Sequence, residues 1–136
     1  MIKLYLPKVL MCLAFLLFVG KSQAQVSVVS SSTTGTHATL KEAFDGINSG
    51  TYTGSIQLLI TGNTVETAAA VLNASGSGSA LYGSITIKPD AGVTASISGS
   101  ITGGLIKLNG ADNVTIDGGK FNGSGSDTTR GARMVE

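Results

Sequence analysis

From residue 56 onward the apolar residues of this chain come in very short runs in which apolar and polar positions largely alternate: Ile56-Gln57-Leu58-Leu59-Ile60, Ile85-Thr86-Ile87, Leu105-Ile106-Lys107-Leu108 and Val114-Thr115-Ile116. A period of two is that of a strand with one face buried. Each run is closed by turn chemistry: Thr61-Gly62-Asn63, Lys88-Pro89-Asp90, Asn109-Gly110 and Asp117-Gly118-Gly119. Proline cannot donate to a continuing ladder, and Asn, Asp and Gly accept the backbone angles of tight turns. No run is long enough to bury its own apolar face. Tryptophan is absent and aromatic residues make up 5% of the chain, so aliphatic side chains stacked from several strands must form the core.

The spacing suggests how they stack. Ile85/Ile87 and Ile106/Leu108 lie 21 positions apart, and Ile97 and Ile116 lie 19 apart, with turn glycines between. A period near 20 predicts a solenoid, in which apolar residues are covered by the next repeat, and it places Ile116 in the core. The segment from Thr64 to Gly83 departs from this period. Its Thr67-Ala68-Ala69-Ala70-Val71-Leu72 fits a short helix or a strand, and Asn73–Ser79 reads as a Gly/Ser loop.

One helix is predicted, over residues 39–50. Thr39 and Glu42 have the spacing of a capping box, Leu40, Ala43, Phe44 and Ile47 form one apolar stripe, and Asn48-Ser49-Gly50 supplies a left-handed stop. Ahead of it, Val26-Ser27-Val28-Val29 is strand-forming and Ser30–Gly35 reads as a polar linker. A helix placed before the first repeat would cover its open edge.

Residues 1–24 have the form of a secretory leader. Lys3 and Lys8 precede the uncharged run Val9–Val19, whose 11 residues fall well short of the roughly 20 that span a bilayer. Ser22-Gln23-Ala24 offers small residues for cleavage between Ala24 and Gln25. The one cysteine, Cys12, lies in the leader, and Met11 is bulky where a lipidation motif has Gly or Ala. Without the leader the chain carries six basic and eight acidic residues, a net charge of −2. It therefore lacks the basic surplus that nucleic-acid binding requires, and no membrane span is expected after cleavage.

The capped helix, the short strands and the segment Leu105-Ile106-Lys107-Leu108-Asn109-Gly110-Ala111-Asp112-Asn113-Val114-Thr115-Ile116-Asp117-Gly118-Gly119 resemble the N-terminal part of a right-handed parallel β-helix of the pectate-lyase-like superfamily. More narrowly, they are similar to the opening of large Bacteroidetes surface proteins. The resemblance covers residues 26–125 and implies an all-β, right-handed parallel β-helix, incomplete, with an N-terminal capping α-helix. The organisation that follows is a leader (1–24), a short strand and linker (25–38), the capping helix (39–50), the first rungs (51–125) and an irregular tail (126–136). It implies a secreted or cell-surface structural or adhesive segment, with polysaccharide or surface glycan as partner and self-association through an open β-helix end. The alternative is the N-terminal end of a polysaccharide lyase or glycoside hydrolase whose active site lies outside this sequence.

Candidate chemistry is sparse. Asp112 and Asp117, with Asn109 and Asn113 nearby, are candidate calcium ligands, although Asn and Asp in such turns commonly bond their own backbone. His37 is the single histidine; with no cysteine or second histidine to help it in the exported part, it reads as a solvated linker residue rather than a catalytic or metal-binding one. Asp90, Asp112 and Asp117 could form a carboxylate pair only through chance stacking. Asn73-Ala74-Ser75, Asn113-Val114-Thr115 and Asn122-Gly123-Ser124 match the N-glycosylation pattern, and Asp127-Thr128-Thr129 resembles a bacterial O-glycosylation motif. No catalytic residue and no cofactor is expected.

Overall fold

The computed structural model describes residues 23–118 and the backbone of Ala132–Val135. The strands are β1 (Val26–Ser30), β2 (Thr34–His37), β3 (Gly54–Ile60), β4 (Thr64–Glu66), β5 (Ala70–Asn73), β6 (Tyr82–Pro89), β7 (Ala95–Gly99), β8 (Ile106–Asn109), β9 (Val114–Ile116) and β10 (Ala132–Val135), and the helix α1 is Leu40–Asn48. They form a five-stranded sheet in the order β2-β1-β3-β6-β9, a three-stranded sheet β10-β7-β4 and a two-stranded sheet β5-β8.

This architecture overturns the expectation of an all-β, right-handed parallel β-helix: the fold is mixed α/β, and nothing identifies it as pectate-lyase-like. Two observations carry the correction. The largest sheet is itself mixed, because β1 pairs antiparallel with both β2 and β3 while β3-β6 and β6-β9 are parallel. The helix is also an integral part of the core, since Leu40, Ala43, Phe44 and Ile47 are all fully buried.

The period near 20 fails as well. Ile85 pairs with Ile56 and with Val114, each 29 positions away. Thr64 pairs with Ile97, 33 away, and Ala70 with Ile106, 36 away. Between a strand and its parallel partner the chain passes through strands of the other two sheets, so the next similar Ile/Leu run in sequence is not the neighbour in space. The segment from Thr64 to Gly83, read as an excursion, contributes β4 and β5 to these ladders. The supposed linker holds β2, and β10 pairs parallel with β7 where the sequence showed no strand pattern.

Helix α1 follows its local signals. Thr39 is extended (φ −134°) and its hydroxyl accepts from Glu42 N–H at 3.2 Å. The reciprocal bond goes one residue further out, to Ala38 N–H at 3.0 Å. At the other end Gly50 (φ +78°) completes a Schellman motif, its N–H donating to Ile47 O and that of Thr51 to Gly46 O, both at 3.0 Å. Lys41 and Asp45, one turn apart, form an exposed ion pair of 2.6 Å, and the carboxylate holds the lysine above its ordinary pKa.

Two long-range contacts fix the helix to the sheets. Asn48 Nδ2 donates to Val71 O at 2.8 Å and its Oδ1 accepts from Asn73 N–H at 3.0 Å, so one amide occupies the edge of β5 that no strand pairs among the described residues. Glu66 of β4 is 2% exposed. Its two carboxylate oxygens accept from Leu40 N–H (2.9 Å) and Lys41 N–H (3.0 Å), placing a negative charge where the helix dipole is positive.

The buried ring of Tyr52 lies between β2 and α1, with room made by two glycines. A Cβ on Gly46 would lie 2.6 Å from Tyr52 Cε2, and one on Gly35 would collide with the phenol oxygen. Gly46→Ala thus sets two effects against each other. Alanine in a helix interior gains about 1 kcal/mol over glycine, whereas overpacking costs about 1–3 kcal/mol. With the ring held from both sides, overpacking wins. The expected result is a net loss of about 1–2 kcal/mol in a urea melt, recovered when Tyr52→Leu is added; a stabilised Gly46→Ala would show that the ring yields freely.

Candidate functional site

In the five-stranded sheet the buried positions are Val26 and Val28 on β1, Ile56, Leu58 and Ile60 on β3, and Tyr82, Ile85 and Ile87 on β6. Alternation sends Val29, Ser55, Gln57, Ser84 and Thr86 to the other face. The registers bring them into rows: Val29 lies opposite Gln57, Gln57 opposite Thr86, Thr86 opposite Thr115, and Ser55 opposite Ser84.

On this face a shallow groove of about 290 Å³ is lined by Val29, Ser30, Ser31, Ser55, Ile56, Gln57, Ser84 and Thr86. Among the described residues no lining side chain is ionisable. Part of the lining is fixed: Ser30 Oγ donates to Thr33 O at 2.7 Å, and Ser31 Oγ accepts from Ser55 N–H at 3.2 Å. Ser84 Oγ lies 3.5 Å from Ser55 Oγ. The Gln57 amide and the Thr86 hydroxyl have no hydrogen-bond partner among the described residues. Val29, 40% exposed, gives the groove an apolar wall. Such an arrangement can exchange neutral hydrogen bonds with a ligand.

The residues singled out in the sequence lie elsewhere. Asn109 Nδ2 donates to Asn73 Oδ1 at 3.0 Å across β5 and β8. Asn113 is left-handed (φ +54°) and its carbonyl accepts from Ile85 N–H at 3.0 Å, the turn role weighed against calcium. Asp117 N–H donates to Ile87 O at 2.8 Å, and Asp112 is exposed. Among the described residues no three His, Cys, Asp or Glu side chains converge as a metal site would require. Asp90 Oδ1 accepts from Ala91 N–H at 2.8 Å, as a turn aspartate does. His37 is not a linker residue: it ends β2, and its Nε2 shares a 2.8 Å hydrogen bond with Tyr52 OH, the two rings meeting edge to face.

At the expected cleavage point, Gln25 N–H donates to His37 O and Gln25 O accepts from Thr61 N–H, both at 2.8 Å, so the ladder of β1 extends back to that residue. The leader up to residue 22, the Asn122 sequon and Asp127-Thr128-Thr129 lie outside the described residues. Among the described residues no helix is long and apolar enough to cross a membrane.

Tyr82 closes the loop between β5 and β6. Its OH donates to Asn73 O at 2.5 Å, and Ser75 Oγ both accepts from Tyr82 N–H (3.0 Å) and donates to Tyr82 O (2.7 Å). Burial pushes the phenol above its ordinary value, and the charge of Asp112 adds to the shift. A raised folded-state pKa means the folded chain holds the proton more tightly. Its contribution is fully present below the ordinary tyrosine value, near 10, and is lost as pH rises through the folded value. Tyr82→Phe is expected to cost about 1 kcal/mol at neutral pH and to flatten the alkaline fall; an unchanged slope in urea melts taken from neutral to alkaline pH would assign that fall to other groups.

The groove and Glu66 were not found in the sequence. Aligning Ile56/Leu58 on Ile85/Ile87 would have set Ser55/Gln57 beside Ser84/Thr86, but nothing local marks that offset. No protein-family model, curated protein or solved structure matches the chain.

Proposed function

We propose that this chain is a structural or adhesive segment of an exported protein, secreted or held at the cell surface, that engages glycan through the outer face of its five-stranded sheet. The observation that carries the reading is that face: a groove of hydroxyl and amide groups without an ionisable side chain, set on strands paired along both edges. The leader pattern of residues 1–24 supports export. Self-association is part of the same reading, supported by Leu108 and Ile116, which are 47% and 43% exposed on strands that each leave one edge unpaired among the described residues.

Expression in a secreting bacterial host, with intact-mass analysis of the released protein, tests the export half. The expected chain begins at Gln25, cyclised to pyroglutamate; a soluble extracellular chain that still begins at Met1 would remove the support that the leader gives. The adhesive half is tested by retention of the full chain on glycan-coated beads against uncoated ones, and equal retention would count against it.

A further inference from the structure

The groove limits its occupant more narrowly than adhesion does. It runs over the middle of a sheet, on β1, β3 and β6, each flanked by strands on both sides. Their ladder N–H and C=O groups are occupied, so an extended peptide cannot add itself there as another strand, which takes a free edge. A helix needs an apolar trough, whereas six of the eight lining residues are Ser, Thr or Gln. An anionic or cationic ligand would lose water without gaining a charged partner. What remains is an uncharged ligand rich in hydroxyl groups, which both donates and accepts, with C–H surface to set against Val29.

We infer that the groove seats a short stretch of neutral glycan, an assignment that rests on the adhesive reading above. Gln57 is the central contact. Its amide offers both donors and an acceptor, and it stands between Val29 and Thr86 in one row across the strands. Thr86 adds a hydroxyl without a partner among the described residues, and Ser84 and Ser55 continue the polar floor toward Ser31. The volume, about 290 Å³, is at the small end of ligand clefts, which run from roughly 300 Å³. It suits about one or two sugar rings lying across the strands, with the rest of the polymer outside. One such contact is weak, and binding strength on a surface then comes from many copies engaging one polymer.

The test uses the full chain labelled with nitrogen-15, titrated with cellohexaose, maltohexaose, mannohexaose and, as the charged arm, hexagalacturonate. At least one neutral hexasaccharide should shift the amides of Ser31, Ser55, Gln57, Ser84 and Thr86 together. The Gln57→Ala/Thr86→Ala double variant should weaken that binding about tenfold with an unchanged melting curve, because neither side chain is fully buried. Thr36→Ala, on the same sheet outside the groove, should bind as the parent does. Response to hexagalacturonate alone, shifts centred away from these residues, or no response to any of the four would each overturn the assignment. Retention on glycan-coated beads unaffected by the double variant would reject the groove and leave the adhesive reading standing. Groove shifts without any bead retention would do the reverse.

Discussion

Ile85→Asp should abolish cooperative folding, whereas Ile116→Asp should melt within about 0.5 kcal/mol of the parent. Both residues are isoleucines in Ile-Thr-Ile or Val-Thr-Ile runs, and sequence alone ranks them together. Their surroundings separate them. Ile85 is fully buried and lies in register between Ile56 and Val114. A carboxylate there must either stay charged in an aliphatic core or take up a proton and remain without partners, and it also removes apolar surface from the centre of the sheet. The combined loss is about 4–5 kcal/mol or more, a large share of the roughly 5–15 kcal/mol that holds a domain together. Ile116 is 43% exposed, so its carboxylate reaches water. Its effect should instead appear in sedimentation, as a smaller associated fraction, because a charge on a strand whose outer edge is unpaired among the described residues opposes strand addition. Equal melting of the two variants would mean that β9 is covered in solution.

The contrast shows what kind of information the sequence carried. The helix could be read because its signals are local: Thr39 and Glu42 at one end, four apolar residues on one stripe, Gly50 at the other. The strand character of Ile56–Ile60 and Ile85–Ile87 could be read for the same reason, since alternation is a property of neighbours. Pairing is not. The Ile-rich runs are nearly interchangeable in composition, and a partner 29 positions away carries no mark that distinguishes it from a similar run about 20 away. This is why the spacing of the runs pointed to a solenoid, which the mixed pairing contradicts, and placed Ile116 in the core, where it is not. It is also why the outer-face row Val29, Gln57, Thr86, Thr115 was invisible, being defined only by register. Glu66 escaped notice for a related reason: a lone acidic residue in a Thr/Ala-rich stretch reads as a solvated charge, and the amides it satisfies are 25 and 26 positions distant.

That carboxylate gives the second large effect. Glu66→Ala is expected to cost about 3–5 kcal/mol, although it removes a buried charge, a change that can be neutral when both members of a pair are replaced by apolar groups. Here the partners are backbone and remain. Leu40 is fully buried, so its N–H has no route to water, and an unsatisfied buried donor costs about 1–3 kcal/mol. Lys41 N–H, partly exposed, loses less. The vacated volume beneath the helix and the lost attraction to the helix N-terminus add to both. Glu66→Gln keeps the shape and one acceptor but turns an NH₂ toward a backbone N–H, and should fall between, at about 2 kcal/mol. Hydrogen exchange separates this account from a simple packing defect. In Glu66→Gln the amides of Leu40 and Lys41 should lose protection selectively, while those of β3 and β6 slow or quicken only with global stability. Uniform loss across helix and sheets would indicate that the carboxylate acts through packing alone, and a Glu66→Ala protein as stable as its parent would show that the helix start finds other acceptors.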